Sequence, residues 1–468
     1  MKHEKSKEPG SIATLARWIK SVDSAAIPSR AIEQAKLIVL DTIGCGVLGR
    51  GEETSHALLA LAAELGGAET CTIIGEKRRS SPLHAVLTNG CLVRVLDLND
   101  YIGGGSSGGP EIGGHPSDNV PVALAIGEAR GCSGSDVLAA IVIGYEVFGR
   151  LKRLMNPVGV WDEVSISGIV APAIAGRLMG LDETTLAHAL ALGATRAATP
   201  AIVRGGHISA AKSIANALVA QAGVQGALLA AHGVTGPLAV LDAPRGVREL
   251  FAQGDAIATL SAPMPDDPYI MRSSVKTYPC LATGQSAVAA ALKLHAMIGG
   301  HVDRLTKIEV SMSDYPIVKR QQQDPARIKP QSREAADHSF NFLTAVTLID
   351  GRFGLEQYDN VRWLDPKVIA LMDRLELTND PSWADRAQGS YPCGLRAIDR
   401  DGRELVADVP YPPGFARDGL TAAEVISKFH AITASHLSET ARERIVAAAQ
   451  TLDRAASLDS LMAELRFG

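Results

Sequence analysis

Asp97, Asn99 and Asp100 stand close together in "VLDLND", and a glycine-rich run separates them from "GGHPSDN", which carries His115. Two carboxylates and an imidazole are the side chains of acid/base catalysis near neutral pH. The same set can ligate a divalent metal, although the spacing is loose and a third strong ligand is not evident. A phosphate loop is excluded, because "IGGGSSGGPEIGG" has no Gly-Lys-Ser/Thr ending. A dinucleotide fingerprint is excluded too, since the run follows a helical pattern where a strand is needed. Asn and Asp after the apolar "LVRVL" also suit the end of a helix, as cap or turn residues. A lone His after glycines is commonly a solvated loop residue, so spacing alone leaves acid/base site, metal site and plain loop open.

Three further stretches place polar side chains in otherwise apolar surroundings. In "VRGGHISAAKS", Arg204, His207 and Lys212 open a strongly apolar helix. Cations at a helix start oppose the macrodipole, a cost that a carboxylate substrate would offset; snorkelling to the surface is the competing reading. In "SVKTYPCLATGQS", Lys276 precedes Tyr278-Pro279 at a proposed domain junction, where binding clefts are commonly found. Such a lysine binds a carboxylate, or transfers protons if desolvation lowers its pKa, whereas most single lysines are solvated. Tyr315 in "DYP" and His338 in "ADHSF" read as structural when taken alone.

The elements that must position these residues fall into two kinds. From about residue 11 to 260 the pattern is helical and rich in small residues. Ala35, Val39, Ile43 and Val47 recur every four positions and define one buried helix face. Several such stretches end in glycine, a helix stop, and their many Ala and Gly residues permit close helix approach. Between 262 and 280 four prolines break the periodicity and mark a domain boundary. Beyond it, Ile308, Val310 and Met312 alternate with Lys307, Glu309, Ser311 and Ser313 as a strand. "GLRAIDRDGRELVADVPYP" reads as a hairpin turning at Asp401-Gly402, so this part is α+β. From residue 420 helical periodicity returns, and the tail can rejoin the first domain.

Length favours two or three domains, and 46% hydrophobic with 21% charged residues is the balance of a folded globular chain. A net charge of −5 supplies no basic field for a polyanion, so nucleic acid is not an expected partner. The six cysteines are scattered without a C-x-x-C pair and read as reduced thiols of a cytoplasmic protein. The N-terminus has no signal-like apolar core, and no eighteen apolar residues run uninterrupted, so no membrane partner is expected.

Together, "LDTIGCGVLG", "NGCLVRVLDLND", "GGHPSDN", "GYEVFGR", "RGGHISAAKSIANA", "KTYPCLATGQSAV" and "KPQSREAADHSFNFLTAVTLIDGRFGLEQYDNVRWLDPKVIALM" resemble, in order and spacing, the MmgE/PrpD family. That family comprises 2-methylcitrate dehydratases, cis-aconitate decarboxylases and an iminodisuccinate epimerase. The resemblance implies a mainly α protein: a large all-helical domain (1–271) completed by C-terminal helices (418–468), with an inserted smaller α+β lid domain (272–417) and the active site in the cleft between them. It further implies a homodimer, no metal or organic cofactor, and a small di- or tricarboxylic acid as substrate, with 2-methylcitrate and propionate catabolism the leading case. Matched residue by residue, Asp97 is the family's catalytic aspartate, His115 its loop histidine, Arg204 a basic residue and Lys276 the lysine before Phe/Tyr-Pro. Lys212 resembles a lysine of the dehydratases, and Tyr315 falls near a tyrosine used by decarboxylases.

The chain departs from the family where dehydratases read Asn-Asp-Thr-Tyr and it reads Asn99-Asp100-Tyr101, in a longer glycine-rich loop, and at Glu163 where histidine is common. The expectation is therefore a hydro-lyase in which Asp97 and His115 form the acid/base pair, with Lys276 beside them. Arg204, Lys212 and Lys276 would bind carboxylates, and Asn99, Asp100, Tyr101, His207 and Tyr315 would line the pocket. Decarboxylation or epimerisation at the same site is the alternative, and a non-catalytic carboxylate binder is the reading from a different class.

Overall fold

The computed structural model describes residues 10–103, 113–155, 160–206, 208–247, 256–416 and 419–468. His207 and most of the glycine-rich loop lie outside these residues. The protein is mainly helical, with only small sheets.

One apolar core gathers residues from Ile12 to Val275 and again from Val425 to Leu465. A second gathers residues from Cys280 to Val409. The chain thus leaves the helical core just before "YPC" and returns to it through the Ala422–Thr433 helix, which packs on Ser29–Gly49. In Ser29–Gly49 the residues Ala35, Val39, Ile43 and Val47 are all fully buried. The opposite face is largely buried too, because neighbours pack around the helix.

Small residues set the helix spacing. A Cβ on Gly193 would run into the carbonyl oxygen of Gly168, so the Glu183–Ala194 and Ser167–Leu178 helices touch backbone to backbone. Gly131, in the left-handed region at φ 62°, ends Val120–Arg130 as the sequence leads one to expect. The Ala211–Ala231 helix is long and apolar enough to cross a membrane. Here it packs on the Pro82–Arg94, Ser167–Leu178 and Glu183–Ala194 helices, with Ala217, Ala220, Val224 and Ala227 buried.

Two sheets position the rest. In the smaller, β1 (Tyr101–Ile102) pairs antiparallel with β2 (Ser273–Ser274), with Tyr101 opposite Ser274 and Ile102 opposite Ser273. These few ladder bonds carry the segment after Asp97 to the segment before Lys276. The larger sheet has the order β4-β3-β5-β6, where β3 is Leu305–Met312, β4 Leu375–Asn379, β5 Cys393–Asp399 and β6 Glu404–Val409. β3 and the β5–β6 hairpin fall where alternation and the Asp401-Gly402 turn place them. β4 is unexpected: five partly exposed residues after the Pro366–Met372 helix add parallel to β3 at the sheet edge. A short edge strand buries too little to show period-two alternation clearly.

Candidate active site

The Pro82–Arg94 helix starts with Ser81 accepting from the backbone N–H of His84 and ends at Arg94. Three residues on, Asp97 adopts φ 50°, a left-handed backbone that a side chain with a Cβ rarely takes. Such a conformation costs about 1–2 kcal/mol and persists only where its surroundings enforce it. Two lysines, Lys276 fully buried and Lys428 nearly so, do so. Lys276 donates from Nζ to the carbonyl oxygen of Asp97 at 2.8 Å. Lys428, from the Ala422–Thr433 helix, donates to the carbonyl oxygen of Leu98 at 2.8 Å and pairs with Asp41 at 2.6 Å.

The Asp97 carboxylate is the hub of a buried charge cluster. Its Oδ1 lies 2.5 Å from Arg94 Nη1 and against Lys276 Nζ, and its Oδ2 is 3.2 Å from Lys212 Nζ and 3.6 Å from His338 Nε2. Lys212 also reaches both carboxylate oxygens of Asp337, at 3.1 and 3.2 Å, and His338 Nδ1 at 3.2 Å. Asp97, Lys276, Lys212 and Arg94 are each at most 2% exposed. Burial alone would raise the Asp97 carboxyl, yet Arg94, Lys276 and Lys212 together hold it well below the usual carboxylate range. Asp337 is held low in the same way, its burial outweighed by Lys212 and His338. Burial, reinforced by the Lys212 charge, brings His338 down to about 4. Burial also lowers Lys276, against the pull of Asp97.

His115 faces the same Asp97 Oδ1 that Arg94 and Lys276 contact. Gly114, at φ 97°, stands so close to Phe148 that a Cβ would come within 2.6 Å of Cζ, so only glycine fits there. The His115 Nδ1–H donates to the carbonyl oxygen of Asp100 at 2.6 Å. Because a carbonyl only accepts, this bond fixes the tautomer and leaves the Nε2 lone pair free. Nε2 lies 4.0 Å from Asp97 Oδ1. Burial, then Arg94 and Lys276, push the His115 pKa well below its ordinary value, so the ring is neutral at pH 7.

The structure thus brings Asp97, His115, Lys276 and Lys212 together. It puts the other expected pocket residues to different use. Asp100 accepts from Tyr145 Oη at 2.8 Å, from the Ser117 N–H at 3.1 Å and from the Ser273 hydroxyl, which locks its carboxylate inside the scaffold. Asn99 donates to Ser117 Oγ and to Asp118 Oδ1, both at 2.8 Å. Tyr101 is buried in β1. Asn99 and Asp100 thus tie down the turns carrying Asp97 and His115, and Tyr101 holds its place through the β1–β2 pairing. Arg204 ends a short turn, Ala201–Arg204, and pairs with Asp162 at 2.8 Å instead of entering the cluster. Tyr315 stands edge-on to Tyr391 (ring centroids 6.1 Å apart), and Tyr391 in turn lies 6.2 Å from Tyr101. His207 is outside the described residues.

The helix-start cations are offset by the protein itself. Asp97 and Asp337 answer Lys212, and Asp162 answers Arg204 at Nε, so both cations have protein partners and neither snorkels outward. Sequence reasoning missed Arg94, Asp337 and Tyr391 and read His338 as structural. The charge inside "LVRVL" and the "DH" pair before an apolar helix were the available signals.

Asp97, Asp337 and His338 offer three ligand atoms within 4.8 Å of one another, spacing that would suit a metal. The Lys212 ammonium lies 3.2 Å from Asp97, 3.1 Å from Asp337 and 3.2 Å from His338, the place such an ion would take. The set Asp97, Asp100 and His115 is not assembled, since Asp100 turns its carboxylate to Tyr145 and Ser273.

Residues 13–259 match the MmgE/PrpD N-terminal domain, and residues 278–454 match the MmgE/PrpD C-terminal domain. The chain is 24% identical over 477 residues to the cis-aconitate decarboxylase-like protein oryM of Aspergillus oryzae, covering 96% of each. It is 26% identical over 463 residues to cis-aconitate decarboxylase of Homo sapiens, covering 94% of this chain and 91% of the relative. It is also 26% identical over 460 residues to 2-methylcitrate dehydratase of Cupriavidus necator, covering 91% of this chain and 90% of the relative.

Proposed function

The chain belongs to the MmgE/PrpD family of enzymes, and from that premise we propose that it is a lyase dehydrating 2-methylcitrate or a related hydroxy acid by acid/base chemistry of its own side chains. The observation that carries this reading is a neutral imidazole with a free Nε2 facing a buried set of ammonium groups.

Dehydration needs a base for the C–H proton beside a carboxylate and an acid for the departing hydroxyl. His115 Nε2 takes that proton. The electron pair left on carbon spreads onto the adjacent carboxylate, opposite Lys212 and Lys276, where fixed positive charge lowers the barrier. As the C–O bond breaks, Lys276, made more acidic by burial, gives its proton to the hydroxyl, which leaves as water. Asp97 is held ionised and so is not the acid. Its anionic carboxylate, 4.0 Å from His115 Nε2 and against Lys276 Nζ, stabilises the imidazolium that forms, and the site resets when the imidazolium releases its proton to water and Lys276 regains one. The metal-binding alternative is disfavoured by the Lys212 ammonium standing among the three ligand atoms.

The cis-aconitate decarboxylases among the relatives support a second reading at the same site. There a C–CO2 bond breaks, carbon dioxide leaves, and the electron pair on carbon is protonated. Proton NMR in deuterated water, with 2-methylcitrate, citrate, cis-aconitate and iminodisuccinate in turn, separates the readings. An unsaturated acid formed from 2-methylcitrate, with solvent deuterium entering the substrate carbon, is the expected result. Turnover of cis-aconitate with gas release would replace dehydration by decarboxylation. Neither product nor exchange from any of the four acids would overturn the lyase reading in favour of a carboxylate binder.

A further inference from the structure

A cavity of about 480 Å³ opens between the two cores, within the range of small-molecule sites (~300–1,000 Å³). On the helical side it is walled by Val160, Ile202 and Arg204, and on the α+β side by Arg320 and Asp324. The proposed mechanism uses neither the cavity nor Arg320.

Three observations give it a chemistry. Arg204 commits Nε to Asp162 at 2.8 Å, but its Nη2 is buried without a hydrogen-bond partner among the described residues. A buried donor left unpaired is costly, so an acceptor arriving there is favoured. Arg320, on the Pro316–Gln323 helix, is exposed and makes no ion pair among the described residues. The one acid in the wall, Asp324, is already occupied: it accepts from the Ala326 N–H at 3.0 Å and lies 3.6 Å from Arg327 Nε. The cavity therefore offers two guanidinium groups against one engaged carboxylate, and planar guanidinium forks match carboxylates in geometry and charge. Arg204 is also the link to the inner cluster, within electrostatic range of Asp97, Arg94 and Glu163.

Resting on the carboxylate-binding reading above, we propose that this cavity is an outer subsite where Arg204 and Arg320 bind one carboxylate arm of a polycarboxylic acid whose other arms face Lys212 and Lys276. Arg320 is then a specificity residue that separates tricarboxylates from dicarboxylates. Because the two arginines belong to different cores, the bound arm also bridges the seam.

The test is calorimetric binding of two unreactive acids, tricarballylate and succinate, to the wild-type protein, to Arg320→Gln and to Arg320→Lys. Arg320→Gln is expected to weaken tricarballylate about tenfold, the order of one charge-assisted hydrogen bond, while leaving succinate unchanged. Arg320→Lys, keeping the charge but not the fork, should fall between. Unchanged tricarballylate affinity in Arg320→Gln, or equal losses for both acids, overturns the outer subsite while leaving the inner one standing. If neither acid binds the wild-type protein, the carboxylate-site reading itself falls, and this inference with it.

Discussion

Asp97→Asn tests the charge cluster most directly, because Asn keeps the shape of the side chain and is among the few residues that tolerate the left-handed backbone. Strain at φ 50° is thus nearly unchanged and the loss is electrostatic. Asp97 touches Arg94, Lys276 and Lys212 at once. After the substitution Arg94 retains Asp118 at 3.6 Å, and Lys212 retains Asp337 at 3.1 Å. Lys276, fully buried, keeps no carboxylate partner among the described residues. A unit-charge pair about 4 Å apart is worth about 4 kcal/mol at an effective dielectric near 20, and these contacts are closer. Removing one partner of a buried pair typically costs about 3–5 kcal/mol. Urea unfolding at pH 7 should therefore show Asp97→Asn less stable by about 3–5 kcal/mol.

The pH dependence has a definite sign. The folded-state pKa of Asp97 is depressed, so its contribution is fully present above the unfolded value of about 3.9 and is lost as pH falls through the lower folded value. The Asp97 share of this gap should stay level from pH 8 to about 5 and narrow only in stronger acid, whereas any change near pH 7 belongs to Asp118, which burial raises to about 7. A variant within about 0.5 kcal/mol of wild type at pH 7 would refute the hub assignment.

His115→Ala should lower turnover by about 10²–10⁴-fold, the usual share of a general base. In the wild type, the acidic limb of kcat/KM should lie below pH 6.5, since burial and the neighbouring cations keep the imidazole neutral above that; a limb above 6.5 would assign the base elsewhere. Lys428→Met strips the Leu98 carbonyl of its donor and leaves Asp41 buried without its cation. It should reduce kcat at least about tenfold with a smaller change in KM, because the lysine holds the Asp97 turn without touching substrate; Lys428→Arg should restore part, and a pure stability loss with unaltered kcat would deny the positioning role.

Local elements, and the chemistry available to them, are legible in the order of the residues. The four-residue recurrence from Ala35 to Val47 specifies a buried helix face, the alternation from Lys307 to Ser313 specifies β3, and Asp401-Gly402 specifies the hairpin. Each is a short-range pattern, legible because side-chain burial repeats with the backbone. The motif stretches also named the hub: Asp97, His115, Lys212 and Lys276 do converge. Tertiary structure alone decided who answers whose charge. Lys276 and Asp97 are 179 positions apart, and Lys212 and Asp337 125, separations that no periodicity encodes. For the same reason Asn99, Asp100 and Tyr101 read as pocket residues when their partners, Ser117, Asp118, Tyr145 and Ser273, were out of view. Arg94 and Asp337 went unseen because an ionised side chain inside an apolar run acquires meaning only from the opposite charge the fold brings to it. The Asp97 backbone is the sharpest case, since its left-handed turn is imposed by lysines arriving from two distant segments.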